Sequence, residues 1–89
     1  MKYIYRMDDH YKTLQTIFDI VKEDTQPETY KCRPREIILR EYQSWTVIES
    51  HLKILEKEGL VSIKQEDTVV VFITTAGVEY IRAARKFQF

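Results

Sequence analysis

Hydrophobic residues recur every three or four positions in the first quarter of the chain. This spacing places them on one stripe of an amphipathic helix, and they are Tyr11, Leu14, Ile17, Phe18 and Val21. We therefore predict a first helix over residues 10–24, begun by Asp8 or Asp9, whose carboxylates suit the free amides of a helix start. Residues 1–8 include an alternation of polar and apolar side chains, which predicts an N-terminal arm or short strand.

A second helix is predicted over residues 34–42. Pro34 suits the first position of a helix, where no amide hydrogen is needed, and the run Ile37-Ile38-Leu39 requires partial burial. Residues 29–33 before it are short and extended in character. Gln43-Ser44 after it leaves room only for a compact helix–helix corner.

The predicted third helix starts near residues 44–46 and has two different faces. Ser44 is one candidate cap, and Thr46 with Glu49 has the spacing of a capping box; Gly59 follows the last turn, where glycine is favoured. One face carries Ile48, His51, Leu52 and Leu55, and the opposite face carries Thr46, Glu49, Ser50, Lys53 and Lys57. We expect the first face to be buried, with His51 half-buried and hydrogen-bonded, and the second to be exposed.

After Gly59 the pattern changes to that of β-strands. Residues 60–64 and 69–73 are rich in branched side chains, and the Gln65-Glu66-Asp67-Thr68 segment between them predicts a hairpin tip. Thr74 or Thr75 then caps a last helix over 75–87. Its inward positions are Val78, Ile81 and Ala84, with Tyr80 and Phe87 as further candidates.

This element order predicts one α+β domain over residues 1–89. The order is helix, short strand, helix, helix, β-hairpin, helix, with an N-terminal arm or strand over 1–8. Two helices joined by a tight corner (34–58) and followed by a hairpin (60–74) form a winged helix-turn-helix.

Residues 44–61, which include Leu52-Lys53-Ile54-Leu55-Glu56-Lys57-Glu58-Gly59-Leu60-Val61, resemble the recognition helix and exit of winged-helix transcriptional regulators of the MarR and PadR kinds. Ile73-Thr74-Thr75-Ala76-Gly77 is similar to the strand-to-helix step after the wing in that family. The resemblance extends over roughly 34–81. It implies sequence-specific binding to double-stranded DNA, with the third helix in the major groove.

The resemblance also implies which residues would touch DNA. The exposed face of the third helix would contact base edges through Thr46, Glu49, Ser50 and Lys53, with Lys57 on the same face and with Ser44 and Trp45 near the phosphate at the helix start. Arg33, Arg35 and Arg40 are candidates for phosphate contacts, although an ordinary surface or ion-pair role suits each of them as well. Trp45 either packs at the corner against Tyr42 or lies exposed.

The predicted wing departs from the family pattern. Its tip contains Glu66 and Asp67, where many relatives have Arg or Lys. Because phosphate repels carboxylates, we expect this hairpin to stay off the DNA.

Charge is balanced overall but unevenly placed. The 14 Lys and Arg equal the 14 Asp and Glu, so binding to nucleic acid depends on local charge rather than on a net basic field. A single cysteine argues against a disulfide framework. Without an apolar N-terminal stretch or a run of about 20 apolar residues, we expect a cytoplasmic protein.

The residue inventory predicts neither an enzyme nor a cofactor. The motifs of nucleophilic or phosphate-binding sites are missing, and His10, Cys32 and His51 lack the spacing of a metal site. We expect no metal, no membrane association and no small-molecule pocket.

Aromatic residues are concentrated near the two ends of the chain, which favours a protein interface. We expect a homodimer through the first helix, the last helix and the N-terminal arm, with Tyr3, Tyr5, Tyr11, Phe18, Tyr80 and Phe87 at its interface. The alternative function is a winged-helix module that binds another protein through its acidic hairpin and aromatic ends.

Overall fold

The computed structural model describes residues 9–85, which form four helices and an antiparallel β-hairpin. In chain order the elements are α1 (Asp9–Val21), a 3₁₀ turn (Pro27–Thr29), α2 (Pro34–Glu41), α3 (Trp45–Lys57), β1 (Val61–Gln65), β2 (Val69–Ile73) and α4 (Thr75–Arg85). The predicted α+β class is confirmed, and the layout is compatible with a winged helix. The predicted arm over 1–8 and the predicted last turn at 86–87 lie outside the described residues.

The first helix is shorter than predicted. Its apolar stripe is buried, but the helix ends at Val21 rather than at residue 24. Asp24 accepts a hydrogen bond from the Gln26 amide at 2.9 Å, and Pro27 then opens the 3₁₀ turn. Local bonds from Asp side chains compete with helical ones, and this competition explains the early end.

The corner between α2 and α3 consists of Tyr42, Gln43 and Ser44. Tyr42 adopts the left-handed conformation (φ 57°, ψ 34°), and its amide donates to Ile38 O at 2.9 Å. Ser44 is the cap of α3, since its Oγ accepts from the Val47 amide at 3.4 Å. The left-handed residue stops α2 and turns the chain sharply, as a helix C-cap does.

The hairpin pairs β1 with β2 in the register Val61 with Ile73 and Gln65 with Val69. β1 begins one residue later than predicted because the Leu60 amide donates to Leu55 O at 2.9 Å and helps to close α3. Gly59 makes this closure with a positive φ of 79°. Cys32 adds a short antiparallel bridge to Val71, so only part of the predicted extended segment at 29–33 pairs with the sheet.

The last helix starts against the end of α3. Thr74 Oγ1 donates to Gly59 O at 2.7 Å and accepts from the Gly77 amide at 3.0 Å, so Thr74 is the cap. A Cβ at Gly77 would overlap the Leu60 carbonyl oxygen and lie 2.8 Å from Ile73 Cγ1. Glycine is therefore required by the close approach of α4 to residue 60.

α1 is the centre of the packing, since it contacts α2, α3, α4 and β2. Buried core side chains come from every major element, and the fully buried ones include Leu14, Ile17, Ile37, Ile48, Leu52, Val71 and Ile81. Each such burial contributes about 1.5–3 kcal/mol relative to exposure. The core thus fixes α3 from one side only and leaves its other face free.

Candidate nucleic-acid interface

The outer face of α3 is exposed, as its sequence predicts. Thr46, Ser50, Lys53 and Lys57 are exposed and Glu49 is half-buried. Ile48, Leu52 and Leu55 on the opposite face are fully buried, and His51 is half-buried. The exposed face requires no contact with the rest of the subunit, and this is the geometric condition for entering a DNA groove.

Two apolar residues of α3 that sequence reasoning missed also lie on its exposed side. Val47 is 38% exposed and Ile54 is 42% exposed. Val47 and Ile54 are seven residues, or two helical turns, apart, and this spacing in the sequence could have indicated that they share one side of the helix. Leu39 and Tyr42 on α2 and its corner are more exposed still, so the exposed large apolar side chains of residues 9–85 all belong to this helix pair.

Trp45 belongs to a groove between α3 and the hairpin. Its ring is half-buried and packs against the core, whereas Tyr42 is 91% exposed. The groove encloses about 190 Å³ and is lined by Trp45, Glu49, Leu52, Lys53, Glu56, Ile63 and Val69. Trp45 therefore matches neither of the two placements that the sequence left open, packing against Tyr42 or exposure, because its ring is half-buried against the core.

Most carboxylates of the helix pair are engaged with the protein itself. Four of the five between residues 34 and 58 accept hydrogen bonds from other elements or from residues before α2. Glu36 accepts from Tyr30 Oη at 2.9 Å, Glu41 from Thr13 Oγ1 at 3.2 Å, Glu56 from Ile63 N at 3.3 Å and Glu58 from Tyr11 Oη at 2.9 Å. The fifth, Glu49, lines the groove beside Trp45.

The cations of the same helix pair are not engaged in this way. Arg35, Arg40, Lys53 and Lys57 are exposed, and none forms an ion pair with a carboxylate of residues 9–85. Four carboxylates of this unit are thus held by hydrogen bonds within the protein, although Glu56 and Glu58 stay exposed. The four cations are exposed and keep their charge available to a ligand.

Arg33 is placed differently from the other predicted phosphate contacts. Its Nη1 donates to Thr68 Oγ1 at 3.2 Å, and Lys31 Nζ lies 3.0 Å from Glu66 Oε1. Both cations therefore lie beside the hairpin tip. They hold the tip against the start of α2 and offset part of its negative charge.

The predicted interface aromatics are only partly described. Tyr3, Tyr5 and Phe87 lie outside residues 9–85. Tyr11 and Tyr80 stack on each other with ring centroids 4.8 Å apart, and both are half-buried. Phe18 is only 4% exposed within the core, so its prediction as an interface residue is corrected: a buried ring has almost no surface to offer a second subunit.

Burial is the main cause of a raised pKa at two groups, Cys32 and Tyr11. Burial raises the pKa of the Cys32 thiol to about 12, with Glu36 as a further cause, so the thiol is protonated at neutral pH and is a poor nucleophile. Burial also raises the pKa of Tyr11, and the hydrogen bond to Glu58 adds to this effect. Neither group forms part of the α3 face.

Away from α3, the described residues offer little coordination chemistry. Nowhere in residues 9–85 do three His, Cys, Asp or Glu side chains come together as ligands for a metal ion.

A recess of about 400 Å³ lies between the 3₁₀ turn and the hairpin, with Ser62, Lys64 and Phe72 in its lining. The helices within the described part of the chain are too short or too polar to span a bilayer.

Comparison with known proteins identifies a shared fold. No protein-family model matches the sequence, and no curated protein is similar enough in sequence to match it. The structure is similar to the crystal structure of the ST1889 protein from the thermoacidophilic archaeon Sulfolobus tokodaii, with a TM-score of 0.64 and 22% identity over 90% of this chain and 74% of that one. At this identity the similarity concerns the fold alone, and function has to be argued from the α3 face.

Proposed function

We propose that this chain is a transcriptional regulator that binds double-stranded DNA through a winged helix-turn-helix, with α3 in the major groove. The observation that carries the proposal is the contrast between the carboxylates and the cations of the α2–α3 pair. Four carboxylates accept hydrogen bonds within the protein, whereas Arg35, Arg40, Lys53 and Lys57 are exposed and form no ion pair among residues 9–85.

The four exposed cations would have two different roles in binding DNA. Arg35 and Arg40 lie in the first and last turns of α2 and would position the protein by contacting phosphates, which supply most of the affinity of DNA-binding proteins. Lys53 and Lys57 lie on α3 beside Thr46 and would enter the groove with it. Lysine binds either a phosphate or the O6 and N7 acceptors of guanine.

A homodimer follows from the limited charge of one subunit. Four outward cations on a chain of zero net charge give a weak monomer, and two copies double the phosphate contacts. A two-fold dimer would bind a pseudo-palindrome with half-sites about 34 Å apart. Tyr11 and Tyr80 remain the proposed interface residues within the described part of the chain.

The hairpin is proposed to stay off the DNA. Glu66 and Asp67 are exposed at its tip, and the ion pair to Lys31 neutralises only one of the two. The remaining negative charge disfavours contact with phosphate. Arg33 would contribute less than Arg35 and Arg40 to the phosphate contacts, because its Nη1 donates to Thr68 at the tip.

The decisive experiment is an anisotropy titration with a random-sequence duplex at about 50 mM salt, where phosphate contacts are strongest. We expect binding that weakens steeply as salt is raised. Lys53→Glu should weaken it about tenfold or more and lower the salt slope by about 1. Arg82→Glu makes the same charge change on α4, which packs against α1, and should have little effect.

The outcome that contradicts the proposal is no binding by the wild-type protein at concentrations on the order of tens of micromolar. Such a result would favour the second function, a module that binds another protein. The observation in its favour is the exposure of Leu39 (63%) and Tyr42 on α2 and its corner. Apolar side chains this exposed are typical of protein interfaces.

A further inference from the structure

The exposed side of α3 has an apolar edge as well as a polar one. Val47 and Ile54 follow one line along the helix, with His51 between them at spacings of four and three. His51 is held towards α1 by its hydrogen bond to Thr13. The two apolar side chains therefore border the face that carries Ser50 and Lys53, on the side away from the hairpin groove.

Val47 and Ile54 do not take part in the packing of the core. Neither belongs to the core cluster nor to the partly buried residues packed against it. Replacing either by a polar residue would cost the monomer little, since exposed positions of a helix tolerate polar residues. Because they border the proposed DNA-binding face, they are available to contact an apolar group of the ligand.

Ser50 contributes less base recognition than its position suggests. Its Oγ donates to Val47 O at 2.7 Å. The hydroxyl has one proton, so in this arrangement it offers a base only an acceptor. Discrimination between bases on this side of α3 therefore depends more on the neighbouring apolar edge.

The major groove presents one apolar group that differs between bases, the C5-methyl of thymine. Seven residues of α-helix rise about 10 Å, so side chains this far apart on a helix in the groove lie over different base pairs. We infer that Val47 and Ile54 are specificity determinants that contact thymine methyl groups of two different base pairs. This inference rests on the proposed DNA-binding function.

The experiment removes the C5-methyl group of a thymine and leaves the rest of the duplex unchanged. Duplexes are first selected from a random library by the wild-type protein, and the selected duplex is then synthesised with deoxyuridine in place of thymidine at one position at a time. We expect about fourfold weaker binding at each of two positions, the loss expected for one apolar carbon leaving a contact. These positions should belong to two different base pairs of each half-site.

Alanine variants of Val47 and Ile54 show which residue contacts which methyl group. Val47→Ala should bind thymidine and deoxyuridine duplexes equally at one of the positions, and Ile54→Ala at the other. Leu39→Ala is the matched control, because it shortens an exposed apolar side chain on α2 and should keep both fourfold differences. Circular dichroism melts should show all three variants folded, as expected for exposed positions.

The outcomes separate this inference from the function on which it rests. A wild-type protein that selects a duplex and binds its deoxyuridine forms equally well overturns the inference and leaves DNA binding intact. Equal weakening of Val47→Ala on both duplex forms also overturns it. A protein that selects no duplex removes the proposed function and the inference together.

Discussion

Thr13 Oγ1 lies 2.8 Å from His51 Nδ1 and, at 3.2 Å, donates to Glu41 Oε1. The hydroxyl has a single proton, so while it donates to Glu41 it must accept from His51, which then has its proton on Nδ1. One buried hydroxyl thus joins α1, α2 and α3. It sets the position of α3 against the helices that carry it.

Thr13→Val should test this junction. The substitution keeps the shape of the side chain but removes the hydroxyl, leaving His51 and Glu41 without this partner. We expect a loss of about 1–3 kcal/mol in the free energy of unfolding, measured by chemical denaturation. Thr16→Val is the control: its hydroxyl bonds only to Lys12 O within α1, and the loss there should stay below about 0.5 kcal/mol.

Gly77→Ala should destabilise the protein although alanine favours helices. The added Cβ would overlap the Leu60 carbonyl and push α4 away from the end of α3. We expect a loss of about 1–3 kcal/mol, as for other overpacked sites, measured as a lower midpoint of thermal unfolding. Gly59→Ala makes a useful comparison, because nothing lies near its Cβ and only its positive φ is strained; about 1 kcal/mol is expected there.

The Cys32 thiol should be protected in the native protein. Burial excludes reagents and raises its pKa to about 12, so little thiolate exists at neutral pH. Alkylation by iodoacetamide, followed by mass spectrometry, should be about a hundredfold or more slower than in denaturant. Equal rates in the two conditions would contradict the buried position.

Stability should fall at alkaline pH partly because of Tyr11. Its pKa is raised in the folded state by burial and by the hydrogen bond to Glu58, whereas in the unfolded chain it titrates near 10. The contribution of Tyr11 to the free energy of unfolding is therefore complete below about pH 10 and is lost as the pH rises above that value. Between about pH 9 and about pH 11.5, Tyr11→Phe should lose less unfolding free energy than the wild type. Parallel curves for the two proteins would refute this.

The acidic hairpin tip should oppose DNA binding if the proposed function holds. Asp67→Asn removes an exposed charge that has no ion pair among residues 9–85. We expect tighter binding to the random duplex at low salt, by a factor of about two to three. Glu79→Gln, an exposed site on α4, is the control and should leave the affinity unchanged.

Local patterns in the sequence predicted the type and order of the helices and of the hairpin strands, with errors in some of their bounds. The buried stripe of α1, the two faces of α3 and the strand at 69–73 all follow from side-chain periods of 3.6 and 2, which are properties of the backbone geometry. The caps at Ser44 and Thr74 and the turn at Gly59 were also among the predicted choices. Errors arose where a local bond shortened an element, as Asp24 and Pro27 did at the end of α1.

The sequence by itself determined the α+β class, the order of the periodic segments and the exposure of one face of α3, because neighbours within a few residues govern these features. Only the tertiary structure decided which carboxylates bond across elements, that Arg33 bonds to the hairpin tip and that Phe18 keeps almost no surface for a second subunit. Tyr11 and Glu58 are 47 positions apart, and Arg33 and Thr68 are 35 apart. Contacts between residues so distant in the chain form when elements pack, and no local period encodes them.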